Sequence, residues 1–387
     1  MKQVVKKQIK DTHNIDNSPI IRTLLVDGNN LMKISLVDKR VNSKNEEYGM
    51  VFQFLWQLNK ILSRSDFQHI YVFYDGDNSG QLRYNIYKDY KANRDKNYSD
   101  PNKSDYDKSL EEYCKKVISY SKRNKRPVKR GETEEECFER QKMILQQCLE
   151  ELFVRQLECD DVEGDDLIAY YIQNKLPNEK IVIVSGDRDL TQLISDDVCV
   201  YIPSLKKYIS PHNHLKEIGY IHENVLLKKI LCGDSSDNIK GIKGLGEKTF
   251  FDLFPKAKTE VYNIDRVISE AKELIEDRKK SKKKPLAVTE NIVKGITNGC
   301  QGDKIYEIND KIINLSNPLL TTDAIEAMDN IMSSSLDPTD RDFKNLYEII
   351  QTNEMIDLIK EDNFTRLFSP FNKVISEEKK YFEKYNK

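Results

Sequence analysis

One third of the 387 residues are charged, yet 62 Lys and Arg nearly balance 64 Asp and Glu, leaving a net charge of −2. That total excludes a uniformly basic or acidic polyelectrolyte, while the length is enough for a large catalytic core plus a smaller appendage. The first twenty residues lack the apolar core of a signal peptide and no stretch could span a bilayer, so a soluble cytoplasmic protein with no membrane partner is expected. Seven cysteines, odd in number and without a Cys-x-x-Cys pair, predict reduced thiols and argue against a zinc site or disulfide framework.

Residues 1–19 read as a flexible tail. Ile20 to Val26 then predicts a strand that ends in Asp27-Gly28-Asn29-Asn30. A helix is expected over Tyr48 to Leu62, its apolar face supplied by Phe52, Leu55, Trp56, Leu58, Ile61 and Leu62. A second strand, Ile70 to Tyr74, ends in Asp75, and a third, Ile181 to Val184, runs into Ser185-Gly186-Asp187-Arg188-Asp189. Three strands with helices between them, each delivering an Asp at its carboxyl end, make the pattern of a parallel α/β sheet with a carboxylate-lined edge. Sites form where such strands end in loops.

Between the second and third of these strands, Glu163, Asp165 and Asp166 crowd three carboxylates into four residues at the start of an apolar helical pattern. Acids suit the first turn of a helix, but two such clusters cannot lie close together ionised unless cations stand between them. Ligands that are all oxygen, with no His or Cys nearby, point to a hard cation such as Mg²⁺ or Mn²⁺. Arg83 and Lys91, eight residues apart, fall on one face if the segment is helical and form a cationic wall beside the acids. Tyr90 beside Lys91 offers a stacking surface for a base.

Residues 95–137 are poor in aliphatics and carry a basic run containing Lys122, Arg123, Lys125 and Arg126, which suits a segment that arches over a site and grips single-stranded nucleic acid. Helical periodicity returns from Phe138 to Leu157. Further on, an apolar helix over Ile221 to Leu231 leads to Asp234 and Asp237, then to Gly241-Ile242-Lys243-Gly244-Leu245-Gly246-Glu247-Lys248-Thr249. Glycines before a helix let the backbone approach a phosphate closely, although the spacing is not that of a Walker A loop. The Lys-rich run Arg278 to Lys284 reads as a mobile basic loop and a supplementary DNA contact. Residues 340–387 read as one or two surface helices, with Phe364 to Phe371 an apolar knot packed on the domain.

Taken in order, Asp27 in Val-Asp-Gly-Asn-Asn, Asp75 in Phe-Tyr-Asp-Gly, Glu163-Gly-Asp165-Asp166, Ser-Gly-Asp187-Arg-Asp189 and Gly-Asp234-Ser-Ser-Asp237-Asn resemble the acidic motifs of the 5′-nuclease (flap endonuclease) superfamily. The Gly241 to Thr249 segment resembles its helix–three-turn–helix. The likeness spans roughly residues 20–320, and the run from Asp75 through Arg83 to Tyr90-Lys91-x-Asn-Arg94 is similar to the bacteriophage and bacterial branch, including the phage enzymes called RNase H. The segment from Asn93 to Phe138 is longer than the arch expected of the compact phage enzymes, and the resemblance does not extend beyond 320.

The resemblance implies a PIN-like (resolvase-like), mostly parallel α/β sheet flanked by helices, with a helical arch and a C-terminal helix–three-turn–helix subdomain. It sets a nuclease domain at 20–210 with the arch at about 83–140, the DNA-binding subdomain at 211–320 and a helical extension at 321–387. It implies a 5′-3′ exonuclease or flap endonuclease using two Mg²⁺ ions, with Mn²⁺ able to substitute. Asp27, Asp75, Glu163 and Asp165 would hold one ion, Asp165, Asp187, Asp189 and Asp234 the second, and Asp166 and Asp237 would be outer-shell acids. Arg83 and Lys91 would polarise the scissile phosphate. Tyr90, Arg94, Lys122, Arg123, Lys125 and Arg126 would meet single-stranded nucleic acid. Gly241, Lys243, Gly244, Gly246, Lys248 and Thr249 would hold the duplex, with K⁺ bound at the turn. The implied partners are DNA with 5′ flaps or ends and RNA/DNA hybrids, with a single-strand-binding protein or sliding clamp as a further candidate. The protein would be a monomer, in the host cytoplasm if phage-encoded, serving replication and primer removal. A non-catalytic structure-specific nucleic-acid-binding relative is the rival reading.

Overall fold

The computed structural model describes residues 20–92, 132–295 and 304–385. Its centre is a six-stranded sheet of β1 (Ile21–Asp27), β2 (His69–Asp75), β3 (Arg155–Cys159), β4 (Glu179–Val184), β5 (Val198–Ile202) and β6 (Lys207–Ile209), in the spatial order β3-β2-β1-β4-β5-β6. All pairings are parallel except β5 with β6. Leu24, Leu25 and Val26 are consecutive and each fully buried, as a parallel strand covered on both faces requires. The fold is therefore the mostly parallel, helix-flanked α/β sheet that the sequence pattern predicts.

Helices α1 (Gly28–Ser35), α2 (Gly49–Leu62), α3 (Gln81–Ile86) and α4 (Glu134–Glu151) precede β3, and α5 (Gly164–Gln173) follows it. Helix α4 starts at a capping box in which Thr133 and Glu136 exchange side-chain and backbone bonds. It stops well short of the predicted Leu157. Phe153 adopts φ +58°, which no helix continues through, and Arg155–Cys159 leaves as β3 to pair with β2. The periodicity carries the expected helix too far because the alternation of a short edge strand is weak against the strong helical period before it.

Beyond β6 come α6 (Pro211–Ile218), α7 (Val225–Cys232), a two-stranded ribbon of β7 (Gly233–Asp234) and β8 (Ile239–Lys240), α8 (Glu247–Leu253), α9 (Ile264–Lys280), α10 (Ala287–Lys294) and α11 (Ile305–Ile313). These helices share their own core, centred on Ile230, Phe250, Phe254, Val267 and Ile292. Helix α11 turns back to the sheet domain, where Ile308, Ile312 and Ile313 pack with Tyr87 and Tyr90.

The last helices are integral to the sheet domain. Helix α12 (Thr322–Ser333) buries Ala324 and Met328 on the α5 face. On the opposite face α13 (Phe343–Thr352), α14 (Asn363–Phe368) and α15 (Asn372–Tyr385) join α2 and α4. Leu346, Ile350, Met355, Leu358, Phe371 and Val374 are all fully buried there, each worth about 1.5–3 kcal/mol. A buried ion cluster fastens α15 to the amino end of the sheet. Arg155 forks onto Glu378 (Nε–Oε1 3.0 Å, Nη2–Oε2 2.7 Å) and donates to the carbonyls of Ile331 and Ser334. His69 Nδ1 lies 2.7 Å from the same Glu378 carboxylate.

Cys137, Cys148, Cys159, Cys199 and Cys232 are free thiols. No helix among the described residues is long and apolar enough to cross a membrane.

Candidate active site

Because β1, β2 and β4 run parallel, their carboxyl ends arrive at one edge. The register pairs Asp27 with Phe73 and Val26 with Val184, so Asp75 and Ser185 fall on either side of Asp27. Helix α5 and the ribbon add the remaining acids. One cleft of about 320 Å³ is lined by Asp27, Asp75, Glu163, Asp165, Asp187, Asp189, Asp234 and Asp237, together with Arg83, Tyr90 and Lys91. Sequence motifs spread over more than two hundred residues thus converge on one place.

Each acid is held. Asp27 accepts from the Asn30 N–H (3.0 Å) and the Ser185 hydroxyl (2.7 Å). Asp75 accepts from the Asn29 amide (3.0 Å) and the Gly164 N–H (2.9 Å). Asn30 also receives the Gly186 N–H at 2.7 Å, tying the β1 and β4 turns together. Asp187 accepts the Asp189 N–H at 2.8 Å. The electrostatic cost is visible in the proton affinities. Burial, with further repulsion from Asp75 and Asp187, pushes Asp27 up to about 7. Burial and the charges of Asp27, Asp187, Asp75 and Glu163 raise Asp165 well above the carboxylate range. Asp189, buried beside Asp187 and Asp234, is pushed up to about 7. This is the behaviour of buried carboxylates further crowded by like charge, for Asp189 even with Lys229 pulling the other way.

Part of that counter-charge comes from the chain. Lys229, at the end of α7, places its ammonium against both Asp189 and Asp234, 2.6 Å from the latter. Burial opposes the charge on Lys229, but Asp189, Asp234 and Asp187 outweigh it and raise its affinity for the proton. Burial likewise works against ionised Asp234, yet Lys229 and the Ser236 hydroxyl and N–H hold its carboxyl well below the usual range. Lys91 pairs with Glu163. Sequence reasoning missed Lys229, Asn29, Asn30 and Ser185. A lysine closing an apolar helix just before Gly-Asp, and an Asn pair after a strand-end Asp, were the available signals.

Among the described residues no three His, Cys, Asp or Glu side chains stand close enough to cage a metal ion as they lie; Lys229, Arg83 and Lys91 hold several of the acids. The donor chemistry nevertheless fits a hard divalent cation, since the cleft offers carboxylates and amides with no His or Cys. The ammonium between Asp189 and Asp234 marks a position where positive charge is already favoured.

Several expectations for individual residues need correction. Arg83 and Lys91 do not share a helix: α3 ends at Ile86, and Lys91 sits in a turn at φ +56°. They meet instead through Glu163. The Arg83 guanidinium is 6% exposed and committed, with Nε to the Ile312 carbonyl (2.8 Å), Nη1 and Nη2 to Asp166 (2.5 and 3.1 Å), and Nη1 to Glu163 (3.1 Å). It braces α3, α5 and α11 and has no fork left for a phosphate. Asp166 is fully buried in that clamp and also takes the Leu319 N–H at 2.9 Å, away from the cleft. Tyr90 is no stacking platform, because its ring is buried with Ile239, Ile308 and Ile312. Its hydroxyl donates to Glu163 at 3.0 Å.

In the Gly-rich turn, Gly241 serves internal packing: an added Cβ would sit 2.1 Å from the Cys232 carbonyl. Gly244 holds φ +85° and is exposed, and a Cβ on Gly246 would meet nothing within 4 Å. Lys243 and Lys248 are exposed and Thr249 is half-buried. The turn thus presents an open backbone flanked by lysines. Arg94, Lys122, Arg123, Lys125 and Arg126 lie outside the described residues, as do the tail at 1–19 and most of the expected arch.

The family model described as the 5′-3′ exonuclease, N-terminal resolvase-like domain matches residues 22–219. The thermostable DNA polymerase I of Thermus caldophilus is 27% identical over 252 residues, which is 64% of this chain and 26% of the polymerase. The 5′-3′ exonuclease of Bacillus subtilis is 39% identical over 112 residues, 27% of this chain and 36% of that protein. The chain therefore spans about a quarter to a third of the length of these relatives. The bacteriophage T5 flap endonuclease, solved as a pseudo-enzyme–product complex with DNA and metal ions, shares 18% identity. It aligns with a TM-score of 0.50 over 86% of this chain and 99% of its own, a likeness of fold.

Proposed function

Since the chain belongs to the 5′-3′ exonuclease family, we propose that it hydrolyses phosphodiester bonds near 5′ ends and 5′ flaps of DNA, and RNA primers in RNA/DNA hybrids, during phage replication. The observation that supports this most is the convergence of eight carboxylates from β1, β2, α5, the β4 turn and the ribbon on one cleft. In this reading Asp27, Asp75, Glu163 and Asp165 would hold one divalent cation, and Asp165, Asp187, Asp189 and Asp234 a second. When bound, such ions supply the Lewis acidity that activates water and steadies a leaving oxygen.

The chain's own residues do the rest. Asn29, Asn30 and Ser185 fix the carboxylates of Asp27 and Asp75 and the turn after β4 through the bonds given above. Arg83 is a positioning residue, fixing Glu163 and Asp166 on α5. Lys91 keeps its ammonium at the cleft, where an incoming phosphate can take it from Glu163. The exposed turn at Lys243 to Lys248 would hold the backbone of the duplex without reading bases, with K⁺ at its carbonyls as the family resemblance implies. The T5 endonuclease, solved with DNA and metal ions, is similar to this chain in fold, and Thermus caldophilus polymerase I is similar in sequence; both support the reading.

The test is cleavage of a 5′-labelled flap duplex and of an RNA-primed duplex in Mg²⁺, with chelator as blank. Wild type should cut near the junction, Asp187→Ala should abolish cutting, and Lys91→Ala should slow it by about 10²-fold or more. Tight binding by wild type without metal-dependent cutting would refute the proposal and leave a structure-specific binding protein.

A further inference from the structure

The hairpin formed by α9 and α10 carries a lysine loop that the cleft does not use. Residues Arg278 to Lys284 hold six bases. Lys279 and Lys280 pair with Glu276 and Asp277 on the helix. Lys282, Lys283 and Lys284 are exposed and have no carboxylate partner among the described residues.

This loop is built, and it stands beside the Gly-rich turn. Helix α9 ends in a Schellman pattern, with Lys282 N–H donating to the Lys279 carbonyl (2.9 Å) and Lys283 N–H to that of Arg278 (2.8 Å). Arg278 Nε then returns to the Lys284 carbonyl at 2.8 Å, so the lysine backbone is tied at both ends. On the far side, Asn291 donates to the Lys243 carbonyl at 2.9 Å. Val288 lies 3.8 Å from the position a Cβ of Gly244 would take. Lys284 is four residues before Val288, hence within about 14 Å of it.

Lys282 holds a left-handed backbone. It sits at φ +54°, in the position after a helix that glycine fills most readily. An L-residue there costs roughly 1–2 kcal/mol, so Lys282→Gly removes the ammonium while relaxing the backbone.

We propose that Lys282, Lys283 and Lys284 form a second phosphate-binding surface that continues the Gly-rich turn and grips the duplex backbone farther from the cleft. At 3.4 Å per phosphate along one strand, a reach of at most about 14 Å extends the footprint by up to about four nucleotides. The proposal rests on the nuclease reading above, because it takes the duplex to lie across that turn.

The experiment compares two flap duplexes, one ending at the turn and one longer by about 10 base pairs, a full helical repeat. Binding of each by Asp187→Ala protein, which holds substrate uncut, is measured across a salt series. The longer duplex should give the steeper dependence of log Kd on log salt. In the background of Lys282→Gly, Lys283→Ala and Lys284→Ala that slope should fall by about 2–3, near 0.9 per lost phosphate contact, while the short duplex keeps its slope. The triple variant should melt within a degree or two of the parent, because Lys282→Gly relieves a left-handed backbone and Lys283 and Lys284 are exposed, showing that binding was lost without the fold. Equal slopes on both duplexes, or a triple variant that binds the long duplex as the parent does, would overturn this proposal and leave the nuclease reading intact. An equal loss on both duplexes would overturn it too, placing the lysines at the turn itself. Parent protein that binds neither duplex would overturn both readings.

Discussion

Replacing Lys229 by Met removes the ammonium that bridges Asp189 and Asp234 while keeping an unbranched stem in the same space. Lys229 is 13% exposed in its side chain, and Asp189 and Asp234, 22% and 14% exposed, would be left largely desolvated without their partner. Losing one side of a buried ion pair costs about 3–5 kcal/mol. At about 2.1 cal/mol/K per residue the 387-residue chain has an unfolding entropy of about 0.8 kcal/mol/K. A loss of about 4 kcal/mol therefore lowers Tm by about 5 °C if the chain melts as one unit. The assay is thermal unfolding of wild type and Lys229→Met in chelator and in millimolar Mg²⁺. The deficit should be full in chelator above pH 7, and should shrink at pH 5, where a proton can neutralise Asp189 instead. It should also shrink in Mg²⁺, because a divalent cation supplies the missing charge. A deficit of the same size in chelator, Mg²⁺ and acid would show that packing was lost rather than charge, and would refute the view of Lys229 as an internal counter-ion.

Three further outcomes follow from the same geometry. Asp27 and Asp189 rise from an ordinary 3.8 to about 7 on folding; such groups contribute stability that is fully present below pH 4 and lost as pH rises through 7. The chelated protein should thus lose Tm over that window through these two groups, with Mg²⁺ flattening the profile, and an Asp27→Asn variant that keeps the full slope would contradict the assignment. Gly241→Ala should destabilise the ribbon by about 1–3 kcal/mol and displace Asp234, since its Cβ would meet the Cys232 carbonyl at 2.1 Å. Gly246→Ala, facing open space, should fold normally, so comparing their melting curves checks which glycine is structural. Glu378→Gln leaves Arg155 charged and buried, and should cost about 3–5 kcal/mol by chemical denaturation; a loss below about 1 kcal/mol would mean that the Arg155 cluster does not hold α15.

The strand-end acids were legible because each closes a short apolar run, and parallel strands put all such ends on one edge. The Gly-rich turn was legible from its spacing. What stayed hidden was which partner each side chain would choose. Arg83 looks like a phosphate-binding arginine in sequence, and only the fold shows Asp166, Glu163 and the Ile312 carbonyl surrounding it. Ile312 is 229 residues away, a distance that local periodicity does not reach. Tyr90 was misread for the same reason, since the isoleucines that bury it come from β8 and α11. The C-terminal helices read as surface elements because each has only one apolar stripe. They are amphipathic, and the faces of the sheet and of α2 and α4 that receive those stripes lie far upstream.

The Arg155–Glu378 pair has a consequence for synthesis. The two residues are 223 positions apart, so a ribosome adding about 5–20 residues per second needs roughly 11–45 s to travel from one to the other. For that interval β3 is already made while the carboxylate that neutralises Arg155, and the helix that roofs it, do not yet exist. The edge of the sheet must wait open, or be sheltered by a chaperone, until Glu378 has been added. Nascent chains stalled before residue 378 should therefore be cut by protease within β3, and chains released after α15 should resist.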